Sequence, residues 1–177
     1  MVNFDDKQIY VNCDYNGTDI SLPLIDLIKK VISDFSGGLP TGPIFGSDIT
    51  FTSEWCEDST MPYLAYTPST ATLDGKTPLI IWLHGSGEVG VTESAFRATG
   101  LPAVMDNWSL QGFNSYIICP RIASGDWLSN ESAFLTFLSY IINKYKVDTN
   151  KIVLMGHSLG GIGVEYFATN YTSYFSC

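Results

Sequence analysis

Charge is scarce in this chain, and positive charge is scarcer still. Lysine and arginine number 9 among 177 residues against 18 aspartates and glutamates, giving a net charge of -9 and a pI near 4.4. A nucleic-acid face or a polybasic membrane contact needs clustered cations to meet phosphates, so neither partner is expected. No apolar run approaches the ~20 residues of a membrane-spanning helix; residues 78–83 make one of strand length. The N-terminus, Met1-Val2-Asn3-Phe4-Asp5-Asp6, is acidic where a secretory leader is basic and then apolar. No signal peptide is expected, which leaves the cytoplasm, or delivery within a larger assembly, as the location. The four cysteines, Cys13, Cys56, Cys119 and Cys177, are far apart and lack metal-ligand spacing. No metal site is expected, and all four read as reduced thiols. Histidine occurs only as His84 and His157.

What the chain does have is apolar and uncharged polar material. Hydrophobic residues are 45% of the sequence, enough for a buried core and one main domain. Charged residues are only 15%, whereas serine, threonine, asparagine and tyrosine are plentiful, a surface suited to an uncharged or carbohydrate-like environment. No internal repeat or low-complexity segment is visible.

Periodicity divides the chain in two. Over residues 7–23, Ile9, Val11 and Cys13 alternate with polar residues, Asn16-Gly17 marks a tight turn, and Ile20 and Leu22 return, which predicts a β-hairpin. Residues 24–35 carry apolar side chains at helical spacing, and a Gly/Pro-rich stretch at 37–43 reads as a linker. Residues 1–43 are thus expected to form a small ββα appendage with its linker. From residue 44 onward, candidate strands at 49–55 and 61–66 precede a polar loop at 67–76. Continuous apolar runs at 79–83, 115–119 and 152–155 suit parallel strands buried on both faces. A helical pattern at 132–145 lies between the last two, whereas 92–100 reads as a poor helix. Strands alternating with helices predict an α/β sheet with right-handed crossovers.

Two motifs carry chemistry. Gly156-His157-Ser158-Leu159-Gly160 follows the apolar run Ile152-Val153-Leu154-Met155 and leads into a helical stretch at 159–169. This is the G-x-S-x-G nucleophile elbow, a sharp strand-to-helix turn whose glycines admit close backbone while the serine stands at a helix N-terminus. His84-Gly85-Ser86-Gly87-Glu88 directly follows residues 79–83. Small residues there let the backbone turn toward the serine and offer N–H groups to an oxyanion, with the Leu159 N–H as the other donor. Gly85 to Gly90 also spells G-x-G-x-x-G after a strand, the dinucleotide fingerprint, so a Rossmann-type nucleotide binder is an alternative. That fingerprint needs a helix opening within the glycines and an acidic residue ending the next strand; here the next strand runs into Cys119-Pro120-Arg121.

With both motifs in place, residues from about 48 onward resemble the α/β-hydrolase esterases. The likeness is to the feruloyl and acetylxylan esterase-like and predicted-peptidase-like group with a His-Gly-x-Gly-Glu loop. It rests on residues 61–68, 78–90, 117–127 and 145–167. The resemblance implies a mostly parallel α/β-hydrolase sheet and a serine carboxylic ester hydrolase acting through an acyl-enzyme, without metal or cofactor. It implies Ser158 as nucleophile, the backbone of Gly85, Ser86 and Leu159 as oxyanion hole, and Glu88 and Trp127 near the substrate; Trp127 reads equally as packing under a loop, and Glu88 rather as a brace that holds the loop by hydrogen bonds. The substrate implied is a small-molecule or carbohydrate-linked ester.

The family order is serine, then acid, then histidine. After Ser158 the sequence holds Glu165 but no histidine. His157 adjoins the serine, but at an elbow its side chain points away from it; His84 lies in the oxyanion loop. Residues 171–177 resemble the turn before the family's sixth strand. The expectation is that acid and base lie outside residues 1–177, and that 44–177 is the N-terminal part of a hydrolase domain, incomplete at its C-terminal side. The strand at 152–155 then becomes an edge, to be covered by a complementing C-terminal chain or a homo-oligomer. The competing expectation is a catalytically incomplete binding or assembly module on a hydrolase scaffold.

Overall fold

The computed structural model describes residues 2–5, 8–15, 18–23, 49–108 and 114–176. The chain divides into two compact units, Met1–Ile44 and Phe45–Cys177. In the first, β1 (Val2–Asp5), β2 (Gln8–Tyr15) and β3 (Thr18–Pro23) form an antiparallel meander. Val11 pairs with both Val2 and Leu22. The expected hairpin is present, joined by β1, whose four residues are too few for alternation to announce. The helical pattern at 24–35 lies outside the described residues.

The second unit is built on a five-stranded sheet. Its strands are β4 (Phe51–Cys56), β5 (Tyr63–Pro68), β6 (Leu79–Leu83), β7 (Tyr116–Pro120) and β8 (Ile152–Gly156). The spatial order is β4-β5-β7-β6-β8. β6 runs parallel to both β7 and β8, while β5 is antiparallel to β4 and β7. Among the described residues four helices complete it, α1 (Glu93–Arg97), α2 (Gly100–Trp108), α3 (Glu131–Tyr145) and α4 (Leu159–Asn170).

Alternation along each strand sorts side chains into two cores, because successive residues of a strand point to opposite faces. Tyr63, Ala65, Leu79, Ile81, Leu83, Tyr116, Ile118, Ile152 and Leu154 meet Trp127, Phe134, Phe137, Leu138, Ile141 and Phe167 from the α3–α4 side. Leu64, Tyr66, Trp82, Ile117 and Cys119 meet Phe96 of α1 and Met105 of α2 on the other face. The apolar runs read from the sequence are unbroken because both faces are covered.

The stretch expected to be a poor helix contains α1 and leads directly into α2. The Thr92 hydroxyl caps α1 by accepting the Ala95 N–H at 3.4 Å. Gly100 starts α2 at φ +56°, where a Cβ would lie 2.1 Å from the Trp82 ring. A glycine mid-pattern reads as a breaker; here it admits an indole against the backbone and separates two short helices.

Candidate active site

β8 ends at Gly156 and α4 begins at Leu159, leaving His157 and Ser158 to make the turn. Ser158 holds φ 52° and ψ −118°, a conformation that costs a non-glycine residue on the order of 1–3 kcal/mol. It is maintained because the surroundings permit no other path. A Cβ on Gly156 would lie 2.3 Å from Gly160 O, and one on Gly160 would lie 1.9 Å from Leu83 O and 2.8 Å from His84 O. The first turn of α4 is therefore seated on the backbone that leaves β6. The His157 N–H donates to Leu83 O at 3.2 Å and locks the same junction. Ser158 itself is exposed.

The His84–Glu88 segment lies against this elbow. Gly85 is buried, and a Cβ on it would sit 3.3 Å from both Glu88 Oε2 and His157 Nδ1 and 3.5 Å from His157 O. Ser86 to Glu88 form a single 3-10 turn, with the Glu88 N–H donating to Gly85 O at 3.3 Å. Among the described residues, the N–H groups of Gly85, Ser86 and Leu159 have no recorded acceptor. The two segments are thus adjacent, and these backbone donors point to no acceptor among the described residues.

His84 explains why the loop holds this course. It is fully buried. Its Nδ1 lies 2.6 Å from Gly85 O, and its Nε2 lies 3.1 Å from the Ile122 backbone nitrogen. The Ile122 N–H can only donate, so Nε2 accepts and Nδ1–H donates to the carbonyl: a neutral imidazole with both nitrogens committed. Burial pushes its pKa below the ordinary 6.5. The ring packs edge-on to Trp127 at 5.0 Å and to Phe96 at 5.6 Å between centroids. Gly85 C=O and Ser86 N–H belong to one trans peptide, so fixing the carbonyl also fixes the direction of the N–H. With both nitrogens spent inside the core, His84 has none to offer the serine as a base. His157 is exposed, and among the described residues its side chain makes no hydrogen bond to Ser158.

Of the two readings of Trp127, the packing one agrees with its surroundings: it has no exposed surface, and its Nε1–H donates to His84 O at 3.0 Å beneath the loop. Gly163 accommodates it, since a Cβ there would lie 2.9 Å from Trp127 Cβ. Glu88 is half-buried beside Gly85, on the elbow side of the loop. The Ile122 N–H and Gly163 had no signal in the sequence, because their roles depend on which backbone passes nearby.

The glycines from Gly85 to Gly90 do not open a helix. They pass through the 3-10 turn to Gly90, at φ +67°, whose N–H donates to Ile122 O at 3.0 Å; α1 starts only after Thr92. The structural condition of a dinucleotide fingerprint is absent. Among the described residues no His/Cys/Asp/Glu group is arranged to hold a metal ion. Cys56 and Cys119 are buried free thiols; burial pushes the Cys119 thiol well above its ordinary value. No described helix is long and apolar enough to cross a membrane.

No family model matches the chain. Feruloyl esterase B of Neurospora crassa is 31% identical to it over 114 residues, covering 56% of this chain and 37% of that protein. A solved structure of a protein designated FAE shares the fold at a TM-score of 0.51 with 15% identity, covering 77% of this chain and 56% of that one. An acetyl xylan esterase from Aspergillus awamori gives a TM-score of 0.49 at 13% identity, over 71% of this chain and 49% of that one. The chain spans little more than a third of the curated relative that it matches. The open five-stranded sheet with helices on both faces is part of an α/β-hydrolase fold, as the two motifs led one to expect.

Proposed function

We propose that residues 45–177 are the nucleophile-bearing part of a serine carboxylic ester hydrolase. The observation that carries this reading is the elbow: an exposed serine held at φ 52° between β8 and α4, where neither Gly156 nor Gly160 has space for a Cβ. Strain of this kind, over-determined by packing, belongs to sites where a side chain must be presented in one direction. In the reaction, Ser158 Oγ attacks the ester carbonyl and its proton passes to a base. The tetrahedral oxyanion is met by the Leu159 N–H and by those of Gly85 and Ser86. Each such donor is worth about 3 kcal/mol in the transition state. Collapse expels the alcohol and leaves an acyl-serine, which water hydrolyses to restore the hydroxyl.

The base is not His84, for the reason given above, and Glu165 on α4 is an acid with no histidine after it to orient. We therefore assign the histidine base and its acid to polypeptide outside residues 1–177. The substrate class is an ester carried on carbohydrate, aromatic or acetyl. This is in keeping with what the named relatives act on and with a surface rich in hydroxyl and amide groups but poor in charge. The second reading, a non-catalytic module, draws on the same commitment of His84.

A fluorophosphonate probe separates them. In a polypeptide that extends residues 1–177 with a histidine and an acid, Ser158 is expected to label rapidly, with labelling lost in Ser158→Ala; the 177-residue chain alone should label slowly and leave p-nitrophenyl acetate essentially unhydrolysed. Enzyme-like hydrolysis by the isolated chain, abolished by Ser158→Ala, would show that the base lies within it. Failure of the longer polypeptide to label would favour the non-catalytic module.

A further inference from the structure

A carboxylate stands beside the proposed oxyanion donors, where an anion is least at home. Glu88 is half-buried, and its Oε2 lies 3.3 Å from the point that a Cβ on Gly85 would occupy. The same point is 3.3 Å from His157 Nδ1 and 3.5 Å from His157 O, the carbonyl of the peptide that leads into Ser158. The carboxylate oxygen is therefore no farther from that carbonyl than two short contacts laid end to end. Its charge also reaches His84 beneath the loop, where it opposes the effect of burial.

This carboxylate is not neutralised. Other described carboxylates are either in water, as Glu54 and Glu165 are, or engaged, as Asp58 is by Lys144 at 2.7 Å and Glu131 by two tyrosine hydroxyls. Glu88 is half-buried, yet among the described residues its side chain has no recorded hydrogen bond or ion pair. Its surroundings supply no cation. His84, on the core side, is held neutral by its two hydrogen bonds. His157 forms no ion pair with it among the described residues. Arg121, whose charge is also felt at His84, is turned to other work: it donates to Val91 O and lies over the Trp55 ring at 5.6 Å.

We infer that Glu88 is a specificity-determining residue of this site, turning away esters whose acyl or alcohol part carries a negative charge and favouring uncharged or cationic ones. The inference rests on the proposed hydrolase reading and narrows its substrate class. The N–H donors of Gly85, Ser86 and Leu159 are taken by one anion, the tetrahedral oxyanion. A second anion on the substrate, within the ~10 Å over which charge is felt at 0.1 M salt, meets Glu88 with no cation to offset it. At about 8 Å in a largely aqueous dielectric, the repulsion between two unit charges is worth about threefold in affinity, and the attraction of a cation about the same in the opposite sense.

Matched boronic acids test this on the 177-residue chain. Phenylboronic acids bearing a meta aminomethyl, carboxamide or carboxylate group form a charge series of one unit per step. At about 20 mM salt, affinity should fall along the series by about threefold per step relative to Glu88→Gln, and about 0.5 M salt should remove the difference between the two proteins. Intrinsic differences among the three reagents cancel in that comparison. Glu57→Gln removes the same charge just beyond β4, at the opposite edge of the sheet, and should leave the series as it is in the parent. The inference is overturned if the series is as steep in Glu88→Gln as in the parent. It is equally overturned if Glu57→Gln flattens the series as much, which would make net charge the cause. Ser158→Ala is measured beside each protein. Binding that needs Ser158 but ignores reagent charge sinks the specificity alone, whereas no Ser158-dependent binding of any reagent sinks the hydrolase reading and this inference with it.

Discussion

Replacing Gly160 by alanine adds one methyl group at the most crowded contact of the elbow. The new Cβ would lie 1.9 Å from Leu83 O, 2.5 Å from Leu83 C and 2.8 Å from His84 O, whereas ordinary contact starts near 3.4 Å. All three are backbone atoms of β6 and the loop it feeds, so no side chain can rotate aside. The start of α4 has to retreat by roughly 1.5 Å, a typical overpacking cost of about 1–3 kcal/mol. That retreat stretches the 3.2 Å bond from the His157 N–H to Leu83 O, worth about 1 kcal/mol. Together the loss should be about 3 kcal/mol, or near 10 °C in melting temperature for a chain of this size. Gly161→Ala is the control one residue away. Its nearest neighbour is Gly156 O at 4.0 Å, and on a helix the exchange stabilises by about 0.5–1 kcal/mol. Thermal unfolding followed by circular dichroism should move the two variants in opposite directions. If Gly160→Ala melts within ~2 °C of the parent, the seating of α4 on β6 described above is wrong.

Ser158→Gly should stabilise the chain by about 1 kcal/mol, because glycine relieves the φ 52° strain and gives back part of that gain as unfolded-state entropy. A lower urea midpoint would refute it. His84 makes stability pH-dependent in a known direction. Burial holds its folded pKa below 6.5, so the unfolded chain binds more protons, and the contribution is intact above pH 6.5 and lost as pH falls below it. Urea midpoints between pH 7.5 and 5 should fall, and the fall should be shallower in His84→Ala. That variant should also lose about 2–3 kcal/mol at pH 7.5 by leaving the Ile122 N–H unpaired. Equal slopes in the two proteins would rule out His84 as the titrating group.

The parts of this fold that could be read from sequence are those fixed by periodicity or by a backbone requirement. The buried strands at 79–83, 116–120 and 152–156 were visible because both faces are apolar, and the elbow because its two glycines have no alternative. What could not be read is where a residue's meaning depends on a distant partner. Gly100 reads as a helix breaker until the Trp82 ring is seen against it. Trp127 reads equally well as a substrate contact or as packing, and only its bond to His84 O decides. His84 stands at the head of a motif and invites a chemical role; its two hydrogen bonds, one to its neighbour and one to a residue 38 positions away, make it structural.

The elbow and the loop proposed to bind the oxyanion are one packing unit with the core, and this separates two properties that enzymes usually display together. Gly160 rests on Leu83 O and His84 O, His84 aims the Gly85–Ser86 peptide, and Trp127 supports His84 from below while packing 6.1 Å, centroid to centroid, from Phe134 of α3. None of these contacts uses a proton acceptor for the serine. The geometry that presents Ser158 and its N–H donors is therefore held by residues 79–167 and needs no acid or base to persist. Preorganisation supplies electrostatic stabilisation at no cost during reaction, but it leaves the serine hydroxyl protonated and weakly nucleophilic. On this reasoning the chain should hold a transition-state-like anion better than it forms one. A boronic acid, which becomes tetrahedral and anionic on meeting a serine, should bind the 177-residue chain weakly but measurably, and binding should vanish in Ser158→Ala. If the Ser158→Ala chain bound the boronic acid equally well, the N–H donors and the serine would not share a site.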